Sequence, residues 1–354
     1  MTEGKDFEYA PQLVGNSSKT DTDLPQAIAN QTTPKWTGAV RNLSVTNINT
    51  QELSWIDKAT NALYENDYDL AMENLDLAAY SNGNPQAIAL LGFCHEFGLA
   101  VTRDFVKAER FYLDASLHGN SLAFARLSFL RKYGRPGVKM DRVESSEYAS
   151  RVDDKAIDWL QRAAENGMAC GIYAYGNCYH DGVGRSQDAA IAFKLYTKAA
   201  CMGDSNAIGI LGYCYGEGFG TLKDETLAFE FYCKAANMGC SVAMYNSAHC
   251  LEDGIGIEAN IEKAISWYKR SALMGNCHSQ NSIGYIHEEG LGGNKDLRLA
   301  VHWYKISADQ GYAWAQCNLG YCLQNGIGVA KSLKFGAIWY KRASIQGLSR
   351  YITI

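Results

Sequence analysis

The sequence has no excess of basic residues and no hydrophobic run long enough to span a membrane, and we expect no secretory leader. Lysine and arginine total 33 against 38 for aspartate and glutamate, a net charge of −5, whereas a nucleic-acid-binding protein would carry a basic face. No apolar run approaches the roughly 18 residues that cross a bilayer, and residues 1–10 are polar and acidic. We therefore expect a soluble, cytoplasmic protein that neither binds nucleic acid nor inserts directly into a membrane.

Metal-ligand and catalytic spacings are also missing. The 11 cysteines include no Cys-x-x-Cys pair. His278 and His287 lie nine residues apart beside Glu288 and Glu289, which is not a zinc-binding spacing. The Gly-x-Gly segments join two helical stretches, whereas a dinucleotide-binding loop follows a strand. We predict no catalytic residues, no metal and no cofactor.

What the sequence does contain is one pattern repeated seven times. Each copy runs from Leu-Gly, or a variant of it, through a Gly-x-Gly segment to paired aromatic and alanine residues and then a closing glycine. From the second copy onward the closing glycines are 36 residues apart, a period typical of solenoid proteins. The closing glycines are Gly119, Gly167, Gly203, Gly239, Gly275, Gly311 and Gly347.

The fourth copy shows how one unit is built. Ile208 and Leu211 begin an apolar stripe at helical spacing, the Gly-x-Gly segment interrupts it, and a second helical stripe ends at Gly239. Each copy is therefore predicted to be a helix-loop-helix hairpin. The small residues Gly212 and Ala228 leave room for the two helices to approach, so a bulky side chain there should overpack the crossing.

The consensus Leu-Gly-x-x-Tyr-x-x-Gly-x-Gly-x-x-x-Asp-x-x-Lys-Ala-x-x-Trp-Tyr-x-x-Ala resembles the Sel1-like repeat, a longer relative of the tetratricopeptide repeat. The resemblance covers about residues 84–347 in seven copies that share one register. It implies an all-α, right-handed α/α superhelical solenoid used as a scaffold or adaptor. Family members include fungal regulators of chitin synthase, subunits of a membrane ubiquitin-ligase complex and signalling adaptors, so the resemblance does not identify the partner.

The regions outside the regular repeats differ in composition. Residues 1–50 hold three of the five prolines and are predicted to be a disordered tail in which Trp36 could anchor a docking motif. Residues 51–83 are predicted to form a divergent helical hairpin that caps the N-terminal end. The second copy carries an insertion at about residues 134–154, which is predicted to be an exposed loop. Residues 348–354 form the C-terminal end.

The first helices of the hairpins are expected to line a concave groove, as in tetratricopeptide-like solenoids. Aromatic residues beside carboxylates would suit a basic peptide that carries some apolar anchors. In the alternative interpretation, the rings pack between repeats and the acids only keep the face soluble. The candidate groove residues are Phe93, Tyr213, Glu217, Glu252, Asp253, Tyr285, Glu288, Glu289 and Tyr321.

These observations favour a non-catalytic adaptor or scaffold that binds a protein or peptide partner through the concave face, in a signalling or chitin-synthase-regulating role. Two alternatives stay open: an enzyme with an unrecognised site on a repeat scaffold, and a purely structural oligomer. The seventh copy keeps the apolar character of an internal repeat, including Ile338 and Ile345. This end is therefore expected to contact a partner or a second copy of the chain, unless the last residues fold back over it.

Overall fold

The computed structural model describes residues 45–348, apart from the side chains of residues 45–54 and of Asn82. Within this range the chain is helical throughout, and its only extended pairing is a single bridge between Arg135 and Val138. The helices are α1 (Val45–Tyr64), α2 (Tyr68–Asn82), α3 (Pro85–Phe97), α4 (Phe105–Leu117), α5 (Ser121–Tyr133), α6 (Arg142–Ala149), α7 (Asp154–Glu165), α8 (Ala169–Asp181), α9 (Ala189–Cys201), α10 (Ser205–Glu217), α11 (Glu225–Asn237), α12 (Ser241–Asp253), α13 (Ile261–Leu273), α14 (Cys277–Glu289), α15 (Leu297–Asp309), α16 (Ala313–Asn325) and α17 (Leu333–Ile345).

The helices form a stack of hairpins that confirms the predicted all-α solenoid. The first helices of repeats 1 to 7, which we call the A helices, are α3, α5, α8, α10, α12, α14 and α16. The second helices, the B helices, are α4, α7, α9, α11, α13, α15 and α17. Each B helix packs against its own A helix and, up to α15, against the A helix of the next repeat, so the apolar core is distributed along the stack.

The repeated residues mark where helices begin and end. In repeat 4, α10 ends at Gly218, whose φ of 71° is left-handed and whose N–H donates to the carbonyl oxygen of Cys214, because glycine adopts this conformation without steric cost. Helix α11 begins after Asp224, whose carboxylate accepts the N–H of Leu227, as expected of an N-cap. The sequence motif is thus a set of capping signals.

The Leu-Gly position is where the two helices of a hairpin cross. A Cβ placed on Gly212 would lie 2.5 Å from Cδ1 of Tyr232, a distance that no side chain tolerates without movement of the ring. Gly284 faces Tyr304 in the same way at 2.6 Å. The glycine is therefore paired with a buried B-helix tyrosine, in agreement with the predicted close approach.

Repeats 1 and 2 are joined by a buried ion pair. Arg126 on α5 donates from Nε and Nη2 to the two carboxylate oxygens of Glu96 on α3, at 3.0 and 2.5 Å. The Tyr112 hydroxyl donates to the same carboxylate at 2.7 Å, and the guanidinium lies 4.7 Å from the ring centre of Phe129. Both carboxylate oxygens of Glu96 thus accept hydrogen bonds inside the core, as a buried charge requires.

Two predicted boundaries were wrong. Helix α1 begins at Val45, so residues 45–50 are helical and do not belong to a disordered tail. Residues 1–44, with Trp36, and residues 349–354 lie outside the described range. The insertion at 134–154 is not an exposed loop throughout, because it contains α6 and the side chains of Val138 and Met140 are only 1% and 7% exposed. These two residues are buried by contact with other parts of the chain, so the segment needs no helical periodicity of its own.

Candidate functional site

The A helices form one side of the stack. Their side chains touch from one repeat to the next: the ring centre of Phe129 lies 6.4 Å from that of Tyr173, and the rings of Tyr245 and His278 are 5.3 Å apart. The A helices therefore contact one another along the stack, and we call the side that they form the concave face.

Two of the predicted groove residues are not on an open surface. Phe93 is 0% exposed and its ring packs edge-on against Trp159, with centres 5.1 Å apart. Tyr213 is 1% exposed and lies between the rings of His180 and Phe219. The prediction that Phe93 and Tyr213 contact a partner is wrong, because these rings fill the space between neighbouring repeats.

The concave face is open in repeats 6 and 7. Tyr285 on α14 and Tyr321 on α16 occupy the same position in the repeat and are 44% and 51% exposed. Glu289 and Asn325 follow these tyrosines by one helical turn and are exposed too. We call Tyr285, Glu289, Tyr321 and Asn325 the open stripe, since they form two adjacent rows that present aromatic and polar groups together.

Two of the predicted carboxylates have structural roles. Glu252 accepts a hydrogen bond of 2.7 Å from the Tyr268 hydroxyl, and Glu288 accepts one of 2.6 Å from the Tyr304 hydroxyl. Both carboxylates are half-buried. They hold the hydroxyls of the tyrosines that cross the Leu-Gly position, so their removal would disturb the hairpin as well as any contact with a partner.

The other three predicted carboxylates reach solvent. Glu217, Asp253 and Glu289 are exposed at the C-terminal ends of α10, α12 and α14. The Asp253 Oδ2 also lies 3.5 Å from Nε2 of His249. Three successive A helices thus end in an acidic side chain, which gives this edge of the concave face a negative potential.

A segment of the insertion covers part of the concave face. Residues 134–141, which we call the strap, leave the end of α5 and lie against the start of α12 and the turns before α14 and α16. Arg135 stacks over the ring of Phe129 with 4.9 Å between the guanidinium carbon and the ring centre. On the other side, the strap borders a narrow crevice lined by Ser241, Val242, Gly275, Asn276, Cys277 and Gln310. The N-terminal ends of α12 and α14 are therefore beneath the strap.

Burial lowers the pKa values of two histidines on this face, His278 and His180. Burial, with smaller contributions from Arg142 and Arg135, lowers the pKa of His278 to about 3. Burial also lowers the pKa of His180, although Asp181 opposes the shift. The negative charge of the open edge is thus not offset by these two side chains near neutral pH.

Sequence reasoning missed the strap and the Arg126–Glu96 pair. The strap had a weak signal, because Val138 and Met140 are apolar residues within a polar insertion. The ion pair had none, since its two residues occupy different positions of their repeats and are 30 residues apart.

Three further properties bear on the chemistry of the described residues. From Val45 to Leu348, no three His, Cys, Asp or Glu side chains are grouped so that they could hold a metal ion. No helix in that range is long and apolar enough to cross a membrane. Five cysteines that recur on the A helices are buried, namely Cys94, Cys178, Cys214, Cys250 and Cys322.

Comparison with known proteins places the chain in a family. The Sel1 repeat family matches residues 85–120, 145–168, 171–204, 206–240, 241–276, 277–312 and 315–348. The chain therefore belongs to the Sel1 repeat family, whose members are commonly protein-interaction scaffolds.

Similar solved structures carry the same repeat. A Sel1 repeat protein from Oxalobacter formigenes is 25% identical, with a TM-score of 0.50 and coverage of 86% of this chain and 88% of that chain. A protective antigen of uropathogenic Escherichia coli with an SLR fold, c5321, is 28% identical with a TM-score of 0.46; the match covers 87% of this chain but 66% of that one. No curated protein matches the chain significantly.

Proposed function

We propose that this chain is a non-catalytic adaptor of the cytoplasm that binds a basic peptide segment of a partner protein on the open stripe. The observation that carries the proposal is the exposure of Tyr285 and Tyr321, whose counterparts Phe93 and Tyr213 are buried. Exposed tyrosines at adjacent positions are typical of binding hot spots, because each supplies a large rigid surface and a polar tip.

The charge of the site supports a basic partner. Glu217, Asp253 and Glu289 are exposed along one edge, and the tyrosine rings beside them attract cations through their faces. A segment with lysine or arginine and an apolar anchor would match both features. A signalling or chitin-synthase-regulating role is one setting in which such an adaptor would act.

The test is a charge reversal that spares the structural carboxylates. Peptides are first selected from a random 12-residue phage library on the full chain. We expect Glu217→Lys, Asp253→Lys and Glu289→Lys together to weaken binding of a selected peptide about tenfold, because three exposed ion pairs contribute about 0.5 kcal/mol each. Fluorescence anisotropy at several salt concentrations should also show a weaker salt dependence in this variant.

The matched control carries the same change in net charge elsewhere. Glu230, Glu258 and Glu262 are exposed and lie on α11, in the loop before α13 and on α13, respectively. Their reversal to lysine should leave the affinity within about twofold, since distant exposed charges are largely screened. Equal losses in the two triple variants, or selected peptides without lysine and arginine, would remove the acidic edge from the proposal.

We also propose a second contact, in which two copies of the chain associate through α17. Leu333, Phe335 and Ile345 are 61%, 57% and 62% exposed on this helix. Apolar surface of this kind marks contact sites. Sedimentation should show dimers at micromolar concentration that Phe335→Asp abolishes; a monomer at all concentrations would exclude self-association.

A further inference from the structure

The strap connects parts of the chain that are far apart in sequence. The backbone N–H of Met140 donates to the carbonyl oxygen of Gln310 at 2.8 Å, and its sulfur lies 3.7 Å from Sγ of Cys277. Both partners lie where a new repeat begins: Gln310 in the turn before α16, and Cys277 at the start of α14. The strap therefore ties repeat 2 to the turns that begin repeats 6 and 7.

The root of the strap is fixed as well. The N–H of Asp141 donates to the carbonyl oxygen of Arg131 at 2.8 Å, and the Arg131 side chain donates to the carbonyl of Lys139. Arg131 is itself held by ion pairs of 2.6 and 2.8 Å with Glu109 and Glu144. The strap is thus held to α5 through Arg131 and hydrogen-bonded to the turn before α16 through Met140. It therefore restrains the distance between repeat 2 and the start of repeat 7.

The closing glycines show that these contacts are specific to two turns. Five of them, namely Gly119, Gly167, Gly203, Gly239 and Gly347, would have no atom within 4 Å of an added Cβ. Gly275 would meet Pro136 at 3.0 Å, and Gly311 would meet the carbonyl oxygen of Met140 at 2.4 Å. The strap thus lies directly on the backbone of these two turns, where a side chain would displace it.

We propose that the strap is a latch that closes the superhelix and confines the partner site to the C-terminal ends of the A helices. It covers the N-terminal ends of α12 and α14, whereas Tyr285, Glu289 and Asp253 at the other ends of these helices are exposed. A peptide on the concave face is therefore left with the open stripe and the row of exposed carboxylates that continues it.

The latch is tested by a pair of matched glycine substitutions. Gly311 and Gly239 both have φ of 90°, so alanine causes the same backbone strain at either turn, and only Gly311→Ala meets the strap. Hydrogen exchange of the Met140 amide in the full chain is the readout. We expect exchange to be at least tenfold faster in Gly311→Ala than in Gly239→Ala or the unchanged protein.

A second pair of glycine substitutions repeats the test at another turn, so the result does not depend on whether Gly311→Ala folds correctly. Gly275→Ala meets Pro136, whereas Gly203→Ala, at nearly the same φ (87° against 88°), meets nothing. We expect the same direction of change with a smaller size. If the Met140 amide of the unchanged chain exchanges as fast as that of Leu222, an exposed loop residue, the latch does not exist.

The partner part of the inference rests on the proposed function and has its own readout. A peptide selected from the phage library should slow exchange near the C-terminal ends of α12, α14 and α16 in the unchanged chain, and at the N-terminal ends of α12 and α14 as well once Gly311→Ala releases the strap. If the peptide also slowed exchange at those N-terminal ends in the unchanged chain, the confinement would be overturned. Absence of any binding peptide would refute the proposed function, while the Met140 exchange would still decide whether the strap closes the superhelix.

Discussion

Replacement of Arg126 by methionine is expected to lower the free energy of unfolding by about 3–5 kcal/mol, because it leaves the Glu96 carboxylate buried without its cation. The side chains of Arg126 and Glu96 are only 2% and 3% exposed. The Tyr112 hydroxyl is then the only one of the three donors that stays with the carboxylate. Urea denaturation followed by circular dichroism measures the loss.

A double variant separates the cost of the orphaned charge from the cost of altered packing. Glu96→Gln combined with Arg126→Met removes both charges, while the amide oxygen still accepts from Tyr112. We expect this double variant to recover most of the stability, since neutral replacement of a buried pair is often close to neutral in free energy. Equal destabilisation by the single and double variants would show that Arg126 acts through its volume alone.

An exposed ion pair provides the reference. Lys305 and Asp309 form a bond of 2.6 Å on the surface of α15, with side chains 62% and 49% exposed. Lys305→Met should cost less than about 1 kcal/mol, because solvent screens an exposed pair of this kind. Arg126→Met and Lys305→Met each replace one positive charge by methionine. The difference between their losses of unfolding free energy therefore measures the effect of burial.

The periodic part of the fold could be predicted from the sequence because each signal acts locally. The loop glycines end the A helices, Asp224 and its counterparts begin the B helices, and the Leu-Gly position meets a tyrosine of the same hairpin. Each of these interactions joins residues of one repeat, so seven copies reinforce one interpretation.

The strap and the pattern of buried and exposed tyrosines depend on contacts between different repeats. The sequence of a single repeat does not determine such contacts. In the folded stack the strap of repeat 2 lies against the turns before α14 and α16. Its contacts with Gln310 and Gly311 therefore join residues about 170 positions apart in the sequence. Tyr213 is buried because it packs against the rings of His180 and Phe219, whereas Tyr285 is exposed. A prediction from the position within the repeat alone therefore could not distinguish the buried Tyr213 from the exposed Tyr285.

This difference also explains why the carboxylates could not be sorted from the sequence. Glu252 and Asp253 are neighbours at the end of α12, yet the first accepts from the buried Tyr268 hydroxyl and the second is exposed. One residue of helical rotation, about 100°, separates an inward from an outward direction. Charge reversal of Glu252 would thus combine a structural effect with a binding effect, whereas Asp253 reports binding.

Substitution of Gly212 by leucine is expected to destabilise the fourth hairpin by about 3 kcal/mol, since it inserts a branched side chain where the Tyr232 ring already lies. The added Cβ alone would be 2.5 Å from the ring and 3.0 Å from the Ala228 carbonyl oxygen. Repeat 5 has Ala248 at this position opposite Tyr268. A single methyl is therefore tolerated after a shift of the ring, so Gly212→Ala should cost clearly less than leucine.

Gly216 on the same helix provides a control substitution that is expected to raise the stability of the protein. A Cβ on Gly216 would meet only ordinary contacts, at 3.6 Å from Cβ of Ala228 and 3.9 Å from the Tyr232 hydroxyl. Gly216→Ala should stabilise the protein by about 0.5–1 kcal/mol, because alanine loses less backbone entropy in a helix. Because each repeat is stabilised by its neighbours, Gly212→Leu should also speed hydrogen exchange in α9 and α12. If Gly212→Leu and the unchanged chain had the same midpoint temperature of thermal unfolding, the two helices would not cross at this glycine.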